Sequence, residues 1–364
     1  MEQIIKLQYE TKNPTHISFQ NKDGKMWTVP LKNMTVALCI YEPSGIKGKI
    51  VKRVLPYLSE YGRLLPKVNA KTCSLYYTNN LKYLLDNVFG EDWRASVFWG
   101  TPGTDRKTTI QVSREEAILG YCKIGNSERI NNLFLHEKKI LDSLADVNIS
   151  NVPRCLGCYK IGDYCLFIQS TKKQEGYRAA GKFGKQHQEF LDQVYEATNK
   201  QCLFSETDYF QELQLMRQKF NLLNSADQHI LNRAIELIES NYSGKVVRWG
   251  VQHRDFTPWN MCVTSQGLFV FDFEYALMTA PKNNDYWHYI IQSFFYEAKL
   301  SERDILKKLN VTDDNRLDIV LYLVDIIGLY LQRGNKADLD IVKLRINLLR
   351  GVIERRVELE SKNK

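Results

Sequence analysis

The chain has 364 residues and a formal net charge of +8. At about 100–200 residues per domain, this length predicts two or three domains. Hydrophobic residues make up 44% and charged residues 25%, which excludes wholesale disorder, and 20 Gly with 9 Pro exclude a collagen-like chain.

The opening residues, Met1-Glu2-Gln3-Ile4-Ile5-Lys6, include an acid and lead into no apolar segment, so they do not read as a secretory signal. Up to about residue 92, short strand-like runs (Met26–Val29, Met34–Ile40) accompany helical stretches around Ile50–Tyr61 and Tyr76–Phe89. Between Ser44 and Lys71, the cations Lys47, Lys49, Lys52, Arg53, Arg63, Lys67 and Lys71 stand against Glu60 alone. Such a run is either a solvated face or a contact for an anionic surface. No RNA- or DNA-binding motif accompanies it, so nucleic acid is a minor option.

From Trp93 the pattern changes to five strands: Ala95–Trp99, Thr108–Val112, Ala117–Ile124, Pro153–Ile161 and Tyr164–Ser170. A long amphipathic helix from Glu128 to Leu144 separates the third from the fourth, with Ile130, Leu133, Phe134, Ile140, Leu141 and Leu144 as its apolar stripe. From Lys172 the chain is mostly helical: Phe183–Thr198, Tyr209–Leu223 and Ala226–Ser240 carry helical periodicity. Two short strands, Val246–Gln252 and Leu268–Phe273, interrupt it, and helices resume at Asp285. The apolar stretch Ile319–Leu331 is interrupted by Asp325 and falls short of the roughly 20 residues a membrane span needs, so it reads as a buried helix. Eight cysteines without an export signal suggest a reducing, cytoplasmic location with free thiols. Cys155-Leu156-Gly157-Cys158 is a single C-x-x-C in a hairpin and reads as buried thiols rather than a zinc site.

Chemistry concentrates in His253-Arg254-Asp255-Phe256-Thr257-Pro258-Trp259-Asn260, after one short strand, and in Phe271-Asp272-Phe273-Glu274, at the end of the next. Phosphoryl transfer needs a carboxylate to orient and deprotonate the attacking hydroxyl, and oxygen ligands to hold Mg²⁺ against the phosphates. Asp255 and Asn260 supply a base and one ligand, and Asp272 supplies the other.

At these residues the chain resembles the protein-kinase-like superfamily, and within it the aminoglycoside phosphotransferase and choline kinase branch. His253, Asp255 and Asn260 match the family pattern H-x-D-x-x-x-x-N, and Asp272 matches the metal-binding Asp, here in Asp-Phe-Glu rather than Asp-Phe-Gly. Upstream, Lys123 and Glu137 match the strand Lys that grips the α/β-phosphates and the helix Glu that pairs with it. Taken alone, each would be an ordinary surface residue. The phosphate loop should lie at Gly100-Thr101-Pro102-Gly103-Thr104, with Arg106 and Lys107 following; the consensus is partly met, and an ordinary hairpin turn is equally open. Asp285 is either the family's brace for the catalytic loop, a helix N-cap, or both. Gln169-Ser170-Thr171 takes the hinge position, and Trp259 and Trp287 flank the acceptor side, where they stack on a sugar or pack into the core.

The resemblance implies an α+β, bilobal protein-kinase-like fold with a five-stranded N-lobe (93–171), a helical C-lobe (172–364) and an extra α/β region (1–92). It implies an ATP-dependent, Mg²⁺-requiring kinase that phosphorylates a hydroxyl of a small molecule or saccharide. His253 would shape the catalytic loop. A spacing of thirteen from Asp272 to Asp285 leaves no room for an activation segment, so no protein substrate is expected. The alternative is a nucleotide-binding pseudokinase or scaffold, suggested by the irregular phosphate loop and the Asp-Phe-Glu variant.

Overall fold

The computed structural model describes residues 3–9, 11–43, 45–58, 70–103, 106–174 and 176–362. The basic residues Arg63 and Lys67 lie outside them, as do Thr104 and Asp105 of the expected phosphate loop. The chain forms two compact units, the first comprising Met1–Ala145, Ser150–Ala179 and Cys262–Glu274, and the second comprising the remainder.

The first unit begins with β1 (Ile5–Tyr9), β2 (His16–Gln20) and β3 (Met26–Pro30). The next segment, Met34–Ile40, was expected as a strand. It is instead a helical turn, α1 (Met34–Ala37), running into a 3₁₀ turn (Leu38–Ile40). A continuous apolar run carries no period of its own, and Asn33 at φ 54° turns the backbone out of the strand path. There follow α2 (Ile46–Leu58), β4 (Ala70–Tyr77) and α3 (Asn79–Phe89). Helix α3 starts three residues later than expected, because Tyr76 and Tyr77 pair in β4 with Lys6 and Ile5 of β1. Its N-cap is Thr78, whose hydroxyl accepts from Leu81 N–H.

The five expected strands are present as β5 (Arg94–Phe98), β6 (Thr108–Arg114), β7 (Ala117–Gly125), β8 (Cys155–Ile161) and β9 (Tyr164–Gln169), with α4 (Glu128–Asp146) between β7 and β8. They share one antiparallel sheet of nine strands, ordered β1-β4-β2-β3-β5-β6-β7-β9-β8. The N-terminal strands thus continue the same sheet, through β3 pairing with β5. Val97, Ile110, Val112, Cys122, Ile124, Leu166 and Ile168 alternate onto one face, where Leu81 and Leu85 of α3 join them. Full burial of each such large aliphatic side chain contributes about 1.5–3 kcal/mol.

After β10 (Arg178–Ala179), the second unit contributes α5 (Lys185–Thr198), β11 (Lys200–Leu203), α6 (Asp208–Arg217), α7 (Ser225–Tyr242) and β12 (Val246–Gln252). The chain then returns to the first unit with β13 (Met261–Thr264) and β14 (Gly267–Val270), which form a small sheet with β10. Strand β13 was not anticipated, because four residues inside a polar loop give no readable alternation. Strand β14 stops at Val270, short of the expected Phe273, so Asp272 lies beyond the strand; its φ of 73° cannot continue an extended chain.

The second unit closes with β15 (Leu277–Ala280), α8 (Asn284–Gln292), α9 (Glu302–Leu309), α10 (Asp313–Arg333) and α11 (Lys336–Lys362). The apolar stretch Ile319–Leu331 lies inside α10, buried throughout, and anchors this unit's core. Among the described residues, no helix is long and apolar enough to cross a membrane.

Candidate active site

In the first unit, β7 alternates Cys122 and Ile124 into the core, so Lys123 projects to the opposite face. Helix α4 carries Glu137 on its buried stripe, among Phe134, Ile140 and Leu141. A carboxylate fully buried on such a stripe needs a charged partner. Lys123 Nζ supplies it, 2.9 Å and 2.8 Å from the two Glu137 oxygens, and also donates to Asp272 Oδ1 at 2.6 Å. Phe273 N–H donates to Glu137 at 3.3 Å, tying the segment after β14 to α4. Burial drives the Lys123 ammonium down, but Asp272, Glu137 and Glu274 together hold it above the ordinary lysine range. Burial raises the Glu137 carboxyl, against the pull of Lys123.

Glu274 pairs with Lys107. The carboxylate oxygens of Glu137, Asp272 and Glu274 lie within 4.8 Å of one another, a hard-oxygen donor set suited to a divalent cation. Before the pairing Lys107, Gly100 adopts φ +81°, and a Cβ there would fall 2.3 Å from the Lys107 carbonyl oxygen. The turn itself therefore requires glycine at this position. Gly103, at φ +156°, faces open space, and Arg106 donates to the Trp99 carbonyl at 2.6 Å. At the hinge position, Ser170 N–H donates to Arg154 C=O at 2.9 Å, and its hydroxyl accepts from Arg154 N–H at 2.9 Å.

In the second unit, the loop after β12 is held by buried charge. Asp285, on the first turn of α8, accepts from His253 N–H at 2.7 Å and Arg254 N–H at 2.9 Å. It spans the two functions foreseen for it only in part: it braces the loop, while Asn283 occupies the N-cap position. Burial raises its carboxyl to about 7, although the two N–H donors pull it down. Arg254 sits at φ 67°, a left-handed conformation that costs roughly 1–2 kcal/mol for a residue with a Cβ. Its guanidinium is buried and reaches Glu212 at 2.8 Å and Asp325 at 2.9 Å. Gln252 donates to the other Asp325 oxygen at 2.9 Å.

Asp255 emerges from this frame half-buried. Asn260 Nδ2 donates to its Oδ2 at 2.7 Å and to its backbone oxygen at 3.0 Å. His288 Nε2 lies 3.3 Å from its Oδ1, and the Asp255 backbone N–H donates to His253 Nδ1 at 3.2 Å. Beside it opens a cavity of about 160 Å³ lined by Trp259, Tyr275, Tyr296 and Tyr330. Trp259 is 43% exposed there, whereas Trp287 packs into the core.

Thus Lys123, Glu137 and Asp272 come together in one unit, and His253, Asp255 and Asn260 in the other. Sequence reasoning missed His288, Glu274, Gln292 and the Arg254 partners. His288 was within reach, since it stands one helical turn after Asp285 on the same face. Glu212 and Asp325 carried no local signal.

Residues 123–282, somewhat under half of the chain, match the model of the phosphotransferase enzyme family APH, so the resemblance read from the sequence is borne out there. No curated protein sequence matches the chain. Among solved structures, a thermostable mutant of the aminoglycoside phosphotransferase APH(4)-Ia, in ternary complex with ADP and hygromycin B, is 12% identical; 74% of this chain covers 97% of that one, with a TM-score of 0.50. Amicoumacin kinase, in complex with AMP-PNP, Ca²⁺ and its ligand, is 15% identical over 75% of this chain and 94% of that one, with a TM-score of 0.46. The GDP and kanamycin complex of APH(2")-IIia is 15% identical over 76% and 99%, with a TM-score of 0.48. The fold is that of the bilobal, kinase-like aminoglycoside phosphotransferases, as expected from the sequence.

Proposed function

We propose that the chain is a phosphotransferase that moves the γ-phosphate of ATP to a hydroxyl of a small molecule or saccharide. The observation that carries this reading is the buried ammonium of Lys123, shared between Glu137 and Asp272. Burying the Lys123–Glu137 pair is costly, and a plain apolar pair would pack as well. The arrangement is useful if the ammonium must be held ready for phosphate oxygens.

In this reading Lys123, fixed by Glu137, grips the α/β-phosphates, with Gly100 and Gly103 on the phosphate side. Asn260 and Asp272 would hold Mg²⁺, which would supply positive charge against that developing on the phosphates. The acceptor oxygen forms its bond to the γ-phosphorus as the bond to the β-bridging oxygen breaks. The acceptor proton passes to Asp255, and the nucleoside diphosphate leaves. His288 and Asn260 each hold one carboxylate oxygen of Asp255, which fixes its aim. His253 and Asp285 hold the loop beneath it.

The test is purified protein with Mg²⁺, ATP or GTP, and a panel of sugars, sugar acids and amino alcohols. A phosphorylated product is expected. Asp255→Asn should lower turnover at least about 10²-fold with nucleotide binding retained. An Asp255→Asn protein with full turnover would remove the base assignment. Nucleotide binding without transfer to any acceptor would favour the scaffold alternative.

Two further expectations belong here. The eight free cysteines support a reducing, cytoplasmic setting. An anionic surface contact is supported by α2, which exposes Ile46, Ile50, Val54 and Tyr57 on one face beside Lys47, Lys49 and Arg53.

A further inference from the structure

The cavity beside Asp255 has a distinct charge pattern. Its wall is made of Arg254, Asp255, Trp259, Tyr275, His288, Gln292, Tyr296, Ile326, Leu329, Tyr330 and Arg333. Among the described residues that line it, the one carboxylate is Asp255, the proposed base. Arg254 turns its guanidinium away to Glu212 and Asp325. Gln292 is also committed: its carbonyl accepts from Arg345 at 2.7 Å.

Arg333 differs from Arg254. It ends α10, and its guanidinium carbon lies 5.6 Å from the ring centre of Tyr275 and 5.4 Å from that of Tyr330. Asp338 holds its Nε edge at 3.1 Å. Two aromatic faces and one carboxylate fix the plane of the guanidinium while the side chain remains partly exposed. A guanidinium so immobilised loses little rotamer freedom when it meets a ligand, and its fork matches a carboxylate or phosphate.

The same wall is poor for a cationic acceptor. An ammonium group there would find Arg333 on one side and, as its only carboxylate, the base that must stay free to take a proton. The aromatic rings could face an ammonium, but two of them, Tyr275 and Tyr330, already face the Arg333 guanidinium, and among the described residues the wall adds no carboxylate beyond Asp255. The volume is also small beside the roughly 300–1,000 Å³ of sites for drug-sized ligands. It fits one ring, with Trp259 and Tyr296, whose rings meet edge to face at 5.9 Å, as the apolar side.

We propose that the acceptor is a compact, single-ring hydroxyl compound bearing an acidic group, bound through Arg333, and that polycationic acceptors are rejected. This rests on the phosphotransferase reading above for the reaction, though not for binding. The acid is a carboxylate or a phosphate monoester; Arg333 recognises either.

The test uses the full chain and hexoses of one size: glucuronate, glucose 6-phosphate, glucose and glucosamine, with kanamycin as a polycation. Binding is measured on the nucleotide-loaded protein by calorimetry and Trp259 fluorescence, and phosphoryl transfer is measured separately. The acidic sugars should bind more tightly than glucose, and glucosamine and kanamycin least. The better of the two acidic sugars identifies the acid. Arg333→Met should weaken the acidic sugar about 10- to 100-fold and glucose little, collapsing the ratio between them. Arg333→Lys should restore part of that ratio. A purely packing role for Arg333 would weaken all sugars alike and leave the ratio intact, which overturns the proposal. Tightest binding of glucosamine or kanamycin, or no sugar binding at all, also overturns it. If the charge order appears in binding but no phosphate is transferred, the phosphotransferase reading fails, and Arg333 stands as a binding site for an acidic ligand only.

Discussion

The two units hold their candidate residues by opposite means. In the first, Lys123 and Glu137 stand on a strand and a helix, and the pairing joins two charged side chains directly. In the second, Asp255 stands on a loop that charges hold from beneath: Asp285 accepts from two backbone N–H groups, and Arg254 pairs with two carboxylates remote in sequence. A regular element needs only one good side-chain pair to place a residue. A loop in a left-handed turn must be held from several sides, because its backbone groups have no ladder to satisfy them.

The sharpest way to break this contrast is Arg254→Met. It removes the guanidinium from the buried Asp325 and the part-buried Glu212, and should destabilise the second unit by about 3 kcal/mol. Denaturant melts of Arg254→Met alone and with Asp325→Asn should show partial recovery in the double variant; additive losses would mean the network is not a unit.

In the first unit, Glu137→Gln should be milder for folding, because Asp272 still partners Lys123. Nucleotide affinity should fall about tenfold, as expected when a positioning charge of roughly 1.4 kcal/mol is lost. Fluorescent-nucleotide titration checks this, and unchanged affinity would detach Glu137 from nucleotide binding.

Smaller effects come from pH. Asp285 has its carboxyl raised to about 7 by burial, so the folded state holds its proton more firmly than the unfolded chain does. Its contribution to stability is full below about pH 4 and is lost as pH rises to about 7. His16 is lowered to about 4 by burial, so its contribution is lost as pH falls from about 6.5 to 4. Each group has a slope of at most about 1.4 kcal/mol per pH unit. The melting difference between wild type and Asp285→Asn should shrink as pH rises, and that for His16→Gln should grow. Parallel trends would refute the contrast.

The smallest expected effect concerns α2. Full-length protein should co-sediment with phosphatidylserine-containing vesicles at low salt, and less so at high salt. Ile50→Ser and Lys49→Glu should each reduce it; equal binding to neutral vesicles would exclude an anionic contact.

The candidate loop after β12 was legible as a unit because it is local: His253, Asp255 and Asn260 fall within eight residues, and the structure brings them together. Lys123 and Glu137 were legible only through the family resemblance, since each alone reads as an ordinary surface residue; the burial of Glu137 on the apolar stripe of α4 came from the structure. The end of β14 was not legible. Phe271-Asp272-Phe273 alternates like a strand, and the φ of 73° at Asp272 has no signature without glycine.

By itself the sequence determined the order of strands from Arg94 to Gln169, the long buried helix α10 and the residue types able to move a phosphate. Those follow from periodicity and spacing, which act over a few residues. Tertiary structure alone decided that strands β1–β4 extend the same sheet, that Trp287 packs inside while Trp259 lines a cavity, and that Arg333 lies against two tyrosine rings. Strand partners and the wall of a cavity are chosen among residues far apart in the chain, and the local forces that shape a helix or strand do not reach that far.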